Sequence, residues 1–179
     1  TSTFCLSECS FLPEIDSFGN ILWRTQIPDI DIATGSLIVH NDTITVTGNN
    51  DPFNDRFRMV HFSLDGEQIS ETFEIENPGD KYNRMFHLTS QFFNNRIIVC
   101  GAGEKNDTSF SLIFSVTNIG DLDTLILLEP TNHESDIWDS FIDQEGSLTS
   151  FHQVEFGNSP INYRKIYKFD ENLDTVWSY

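Results

Sequence analysis

Apolar and polar residues alternate along most of this chain with the period of a strand. Thr43-Ile44-Thr45-Val46-Thr47 is the cleanest case, every second side chain being apolar until Gly48 ends the run. It follows Leu37-Ile38-Val39-His40 across the pair Asn41-Asp42, which is the spacing of a two-residue hairpin. A polar loop, Asn49-Asn50-Asp51-Pro52-Phe53-Asn54-Asp55, comes next, then a strand from Phe57 to Leu64. The turn Asp65-Gly66 leads into an outer strand near Gln68 to Phe73. Four strands joined in this way predict an up-and-down meander. The grammar returns in Leu88 to Phe93, Asn94-Asn95 and Arg96 to Cys100. It returns again in Phe141-Ile142-Asp143, Glu145-Gly146 and Ser147 to Phe151. Third strands are expected at Ser109 to Val116 and Tyr163 to Phe169, with polar loops at Gly103 to Thr108 and Gly157 to Pro160. No stretch sustains helical spacing over three turns.

One phrase punctuates these meanders. Ile15-Asp16-Ser17-Phe18-Gly19-Asn20-Ile21-Leu22-Trp23 returns as Phe169-Asp170-Glu171-Asn172-Leu173-Asp174-Thr175-Val176-Trp177. Weaker copies surround Asp65-Gly66 and Gly120-Asp121, and aligning them puts Ser70 and Ile126 where the tryptophans stand. A repeat of about 50 residues made of short strands is the signature of a propeller blade. The expected fold is therefore an all-β propeller with three four-stranded antiparallel blades, at 28–77, 78–130 and 131–179. Residues 1–27 carry the outer strand of a preceding blade, at Gly19 to Gln26. Blades bury both faces, so apolar residues are expected in both registers, as in Phe57-Arg58-Met59-Val60-His61-Phe62. Asp16, Gly19, Trp23, Asp65, Gly66, Asp170 and Trp177 are the structural anchors of the repeat. Three blades do not close a ring, so the chain is expected to be part of a larger propeller and, isolated, to associate through open blade faces.

Charge narrows the partners. Asp and Glu number 28 against 10 Lys and Arg, a net charge of −18. That surface repels nucleic acid and anionic lipid, so neither is an expected partner. No apolar run reaches the length of a membrane helix, and membrane insertion is not expected. Cys5 and Cys9 are spaced to close a small loop in an oxidising compartment or to stay as thiols, and Cys100 reads as a small buried hydrophobe.

The pattern D-x-x-G-x-x-x-W, intact at Asp16, Gly19 and Trp23, resembles the outer-strand repeat of bacterial quinoprotein-like propellers. It resembles more closely the repeat propellers of secreted Bacteroidota surface proteins, whose blades close on K-x-D-x-x-G-x-x-x-W. Lys168, Asp170 and Trp177 match that phrase, with Leu173 in place of the glycine. The resemblance implies export, cell-surface display, and a role in binding or scaffolding toward a protein or glycan partner. Quinone-dependent dehydrogenases need eight blades and a metal-binding acid set, which three blades do not supply.

Candidate chemistry is sparse. His40, His61, His87, His133 and His152 show no metal-ligand spacing and read as scattered sheet residues. No nucleophile elbow or phosphate-binding loop occurs. Asp29, Asp31, Asp136 and Asp139 fall near the starts of the inner strands, where glycoside-cleaving propellers carry carboxylates around a channel. An acid-rich chain also puts carboxylates there by composition alone. Asp51, Asn54 and Asp55 make an oxygen-rich loop that suits calcium or simple solvation, and no other cofactor is expected. Asn41-Asp42-Thr43 and Asn106-Asp107-Thr108 match the glycosylation sequon. The leading expectation is a secreted or surface binding or scaffolding module. A glycoside-active enzyme and a structural spacer of a large adhesin are the alternatives.

Overall fold

The alternating runs pair into antiparallel ladders in a computed structural model, which describes residues 11–27, 31–51, 54–75, 84–105, 108–131, 134–155 and 163–179. Sheet I pairs β1 (Phe11–Ile15) with β2 (Ile21–Gln26). Sheet II runs β3 (Asp31–His40), β4 (Thr43–Asp51), β5 (Asn54–Ser63), β6 (Phe73–Ile75). Sheet III runs β7 (Arg84–Phe93), β8 (Arg96–Lys105), β9 (Thr108–Val116), β10 (Leu122–Thr131). Sheet IV runs β11 (Glu134–Ile142), β12 (Leu148–Glu155), β13 (Tyr163–Phe169), β14 (Thr175–Ser178). The fold is all-β, and its four-stranded antiparallel sheets are those of a β-propeller segment. The first strands lie side by side, β3 against β7 and β7 against β11.

Sheet III shows why apolar residues occupy both registers. Ile97, Val99, Leu112, Phe114 and Val116 pack against Ile38, Phe57 and Met59 of sheet II. The intervening Ile98, Cys100 and Ile113 point the other way, onto Leu148, Tyr167, Phe169 and Leu173 of sheet IV. Leu12 and Ile27 meet Ile44, Val46, Val60 and Phe62 in the same manner between sheets I and II. Phe57 and Phe114 meet edge to face at 5.3 Å, and both are buried. Each such side chain contributes about 2–3 kcal/mol by its burial.

Two turn types carry the repeat. Asn41-Asp42 and Asn94-Asn95 both have positive φ at their two residues (45° and 59°, 46° and 63°), the mirror-image turn that suits the twist of a hairpin. The turn before each outer strand is longer and is built once per sheet. Its first residue is Asp16, Ser63, Thr117 or Asp170, whose N–H donates to the carbonyl four residues on. Its side-chain oxygen accepts the N–H four residues on, at 2.9 Å for Asp16, 3.1 Å for Ser63, 3.1 Å for Thr117 and 3.0 Å for Asp170. Three residues after that oxygen the chain needs positive φ, met by Gly19, Gly66 and Gly120, and at Leu173 by a leucine with φ 66°. Leu173 is buried against sheet III, and that burial offsets a backbone strain of about 1–2 kcal/mol. Asp143 makes the same turn between β11 and β12, with Gly146 at φ 76°.

Several expectations need correction. Sheet I holds two strands, because Phe11–Ile15 accompanies the expected outer strand. The oxygen that anchors the sheet II turn belongs to Ser63, with Asp65 at a central position of the turn. The polar stretches at 49–55 and 103–108 are mostly strand, Asp51 facing Asn54 and Lys105 facing Thr108. Polar residues at the tip of a hairpin do not stop the backbone ladder. β6 starts only at Phe73, after an isolated bridge between Phe62 and Gln68.

That delay moves an anchor. A Cβ on Gly66 would lie 2.5 Å from the Trp23 ring, so the outer strand of sheet I lays its indole on the turn of sheet II. A Cβ on Gly120 would lie 2.9 Å from Phe73, so sheet II repeats the clasp on sheet III. The equivalent of Trp23 in sheet II is therefore Phe73, and Ser70 instead ties the irregular segment by accepting the His61 N–H at 3.0 Å. Thr25 reinforces the first clasp by donating to the Gly66 carbonyl at 2.6 Å. Trp177 holds the place of Trp23 in the ladder, opposite Lys168 as Trp23 is opposite Glu14, each beside a bulge.

Candidate functional site

The first strands carry the expected carboxylates at one end of the sheets. Asp31 opens β3 opposite Asn49, and β11 places Asp136 opposite Gln153 and Asp139 opposite Phe151. The register of β11 shifts between Ile137 and Asp139, so aspartates three residues apart on one strand face partners two apart on the next. β7 shifts at the matching place, between His87 and Thr89, and β3 between Asp31 and Ser36. Irregularities of this kind re-aim a strand and recur beside binding sites. The structure thus brings Asp31 and the pair Asp136 and Asp139 onto strands separated only by β7. Asp29 lies outside the described residues.

Asp51 and Asn54 close the β4–β5 hairpin and Asp55 follows in β5. Among the described residues no three His, Cys, Asp or Glu side chains gather as a metal-holding set. Cys100 is buried between sheets III and IV, while Cys5 and Cys9 lie outside the described residues. Among the described residues no helix is long and apolar enough to cross a membrane.

The opposite end of the sheets holds a cluster that the spacing of histidines conceals. His40 ends β3, Thr45 lies on β4 and His61 on β5, and the register sets Thr45 opposite His61. His61 Nε2 is 2.8 Å from the Asn118 carbonyl of sheet III, so this nitrogen carries the proton and donates. His61 Nδ1 then accepts from the Thr45 hydroxyl at 2.8 Å. With that proton committed, His40 Nε2–H donates to Thr45 Oγ1 at 3.4 Å. The neutral His40 keeps a lone pair on Nδ1, which is buried without a partner among the described residues. The His40 ring stacks on Phe92 at 3.9 Å. Burial first, and the nearby His61 second, hold its pKa below the ordinary histidine value.

His40, Thr43, His61, Ile69, Ser70 and Asn118 line a recess of about 160 Å³ between sheets II and III. It offers imidazole, hydroxyl and carbonyl groups beside one apolar wall, and no carboxylate lines it among the described residues. His152 is elsewhere, tilted against Tyr167 at 5.9 Å. No sequence signal joins residues 40, 61 and 118, because only the meander and the stacking of sheets II and III bring them together.

No family model matches this chain, and no curated protein does. Several solved structures share its fold. A thermostable family-43 glycoside hydrolase matches with a TM-score of 0.58 and 13% identity, over 80% of this chain and 51% of that one. A putative exo-β-1,3-galactanase from Bifidobacterium bifidum matches with a TM-score of 0.54 and 12% identity, over 96% of this chain and 57% of that one. The chain therefore spans little more than half the length of either. Neither likeness points to secreted surface repeats.

Proposed function

We propose that this chain is the carbohydrate-facing part of a propeller in a secreted or cell-surface protein, binding a glycan at the end where β3 and β11 begin. The observation that carries the reading is positional. Asp31, Asp136 and Asp139 stand on the two first strands that flank β7, two of them around a bulge, in a fold shared with two glycoside-acting proteins. Carboxylates there serve as acceptors for sugar hydroxyls, and a net charge of −18 favours a neutral polyol over an anionic ligand. The secreted setting draws its support from the likeness of the D-x-x-G-x-x-x-W phrase to surface repeats. No cofactor enters this reading.

Calorimetric titration with β-1,3-linked galactan oligosaccharides and a wider glycan panel tests it. Binding is expected, and a double change of Asp136→Asn and Asp139→Asn should weaken it at least tenfold, about 1.4 kcal/mol, without moving the melting midpoint. Absence of binding across the panel, or an unweakened double variant, refutes the proposal. The enzymatic alternative is read in the same tubes. Release of reducing sugar that disappears in the double variant would make these carboxylates catalytic, the paired groups that glycoside hydrolysis requires.

A further inference from the structure

Sheet II departs from its neighbours at one place. β2, β10 and β14 each begin on the residue after their turn, at Ile21, Leu122 and Thr175. In sheet II the turn ends at Glu67 and β6 waits until Phe73, with one bridge, Phe62 to Gln68, between them. The intervening segment is nonetheless tied down. The Ile69 N–H donates to the His61 carbonyl at 2.9 Å. Ser70 Oγ accepts the His61 N–H at 3.0 Å and donates to the Glu71 carbonyl at 2.8 Å. The recess of about 160 Å³ lies between this segment, the His40 end of β3 and the Asn118 turn of sheet III. It is a held hollow, and departures from a regular ladder recur beside binding sites.

We infer that this recess is a further binding site, at the opposite end of the sheets from the carboxylates, and that it takes one ring of a neutral polyol. That ring is a free sugar or the terminal residue of a glycan. The lining holds more acceptors than donors. Both His61 nitrogens are engaged, with the Asn118 carbonyl and the Thr45 hydroxyl, and the Ser70 hydroxyl is engaged with Glu71. The Thr43 hydroxyl is held only loosely, 3.5 Å from the Asn41 carbonyl. Second lone pairs remain on Ser70 Oγ and the Asn118 carbonyl. His40, which also lines the recess, has in Nδ1 a buried acceptor without a donor among the described residues. Ring hydroxyls supply the donors that this lining lacks, and the C–H face of the ring suits Ile69 and the imidazoles. No Asp, Glu, Lys or Arg lines the recess among the described residues, so a charged ligand meets no fixed counter-charge there. The volume admits one ring.

Titration with galactose, glucose, myo-inositol and methyl β-galactoside, followed by the imidazole C2–H proton signals of His40 and His61, tests the inference. At least one neutral compound should shift both signals with a Kd in the millimolar range, while glucuronate and glucosamine shift them less. Methyl β-galactoside separates the two sources: binding as tight as galactose marks a glycan end, and loss of binding marks a free sugar. Thr43→Val removes the loosely held hydroxyl, and Ile69→Ala removes the apolar wall at a position 56% exposed. Each should weaken binding about fivefold, the worth of one good contact, and keep the parent melting midpoint. The inference is overturned if no neutral compound moves the two signals up to about 50 mM, or if glucuronate binds best. Unweakened binding in both variants overturns it as well. The double change Asp136→Asn and Asp139→Asn should leave these shifts unaltered, so either site can fail alone. Shifts lost in that double variant would place the ligand at the carboxylates and overturn the recess.

Discussion

Trp23 and Trp177 stand at the same point of the same phrase, and their surroundings differ. Both sit on an outer strand beside a bulge, opposite the residue two before the turn anchor. Trp23 rests on a glycine turn of the next sheet and its Nε1 is buried without a hydrogen-bond partner among the described residues. Trp177 is 45% exposed. The comparison separates what a blade supplies from what its neighbour supplies. Local sequence sets the strand, the bulge and the direction of the ring. Burial of that ring depends on a positive-φ residue contributed from the next repeat.

The sharpest way to break this reading is a pair of glycine substitutions. At Gly66 a side chain meets both a φ of +81° and the Trp23 ring, with the Cβ at 2.5 Å. At Gly19 it meets a φ of +87° in open space. Gly66→Val should lower stability by about 3–5 kcal/mol, combining strain with overpacking. Gly19→Val should lower it by only about 1–2 kcal/mol, the backbone part alone. Urea unfolding of the two variants measures the difference. Equal midpoint losses would mean that the clasp on Gly66 contributes nothing.

A smaller and opposing effect is expected at Leu173, the turn position where a glycine is absent. Leu173→Gly relieves a φ of 66° but removes a side chain buried against Ile98, Cys100 and Ile113. Strain relief returns about 1–2 kcal/mol, and the lost burial and cavity cost about 2–5 kcal/mol. The net result should be destabilisation by about 1–3 kcal/mol in the same urea measurement. A more stable variant would show that the leucine is merely tolerated.

These residues also show how much could be read in advance. The Asp16 turn was legible because a glycine at positive φ and a side-chain oxygen three positions earlier are local requirements, visible as D-x-x-G, whereas the hydroxyl anchors Ser63 and Thr117 carry no such mark. The run Phe57 to Phe62, apolar in both registers, foretold two buried faces, since period two needs no tertiary knowledge. The aromatic of sheet II was misplaced at Ser70 because an irregular segment delays β6, and strand length between turns is settled by packing. Asp31, Asp136 and Asp139 could be placed on first strands by counting within the repeat. The histidine cluster could not, because His40, His61 and Asn118 meet only once sheets II and III stack. Their separations along the chain carry no metal or catalytic spacing.

Acid sharpens the comparison at its finest scale, between turns anchored by a carboxylate and turns anchored by a hydroxyl. Asp16 Oδ1 accepts the Phe18 and Asn20 N–H groups at 2.8 and 2.9 Å, and the Asn20 amide donates to Oδ2. Those bonds, that of the Asn20 side chain foremost, hold the Asp16 pKa below its ordinary 3.8. A depressed carboxylate contributes its stability above the unfolded value and loses it as pH falls through the folded one. The Asp16 turn should therefore stay intact down to about pH 4 and loosen below 3.8. Ser63 and Thr117, which hold Glu67 and Asp121 N–H groups at 3.1 Å, have no proton to gain in that range. Hydrogen-exchange protection, corrected for intrinsic rates, should fall at Phe18 and Asn20 between pH 4 and 2.5 while Glu67 and Asp121 change less. Parallel losses at all four amides would mean that acid opens the sheets as a whole, and that the difference between the end turn and the clasped inner turns has no local chemical basis.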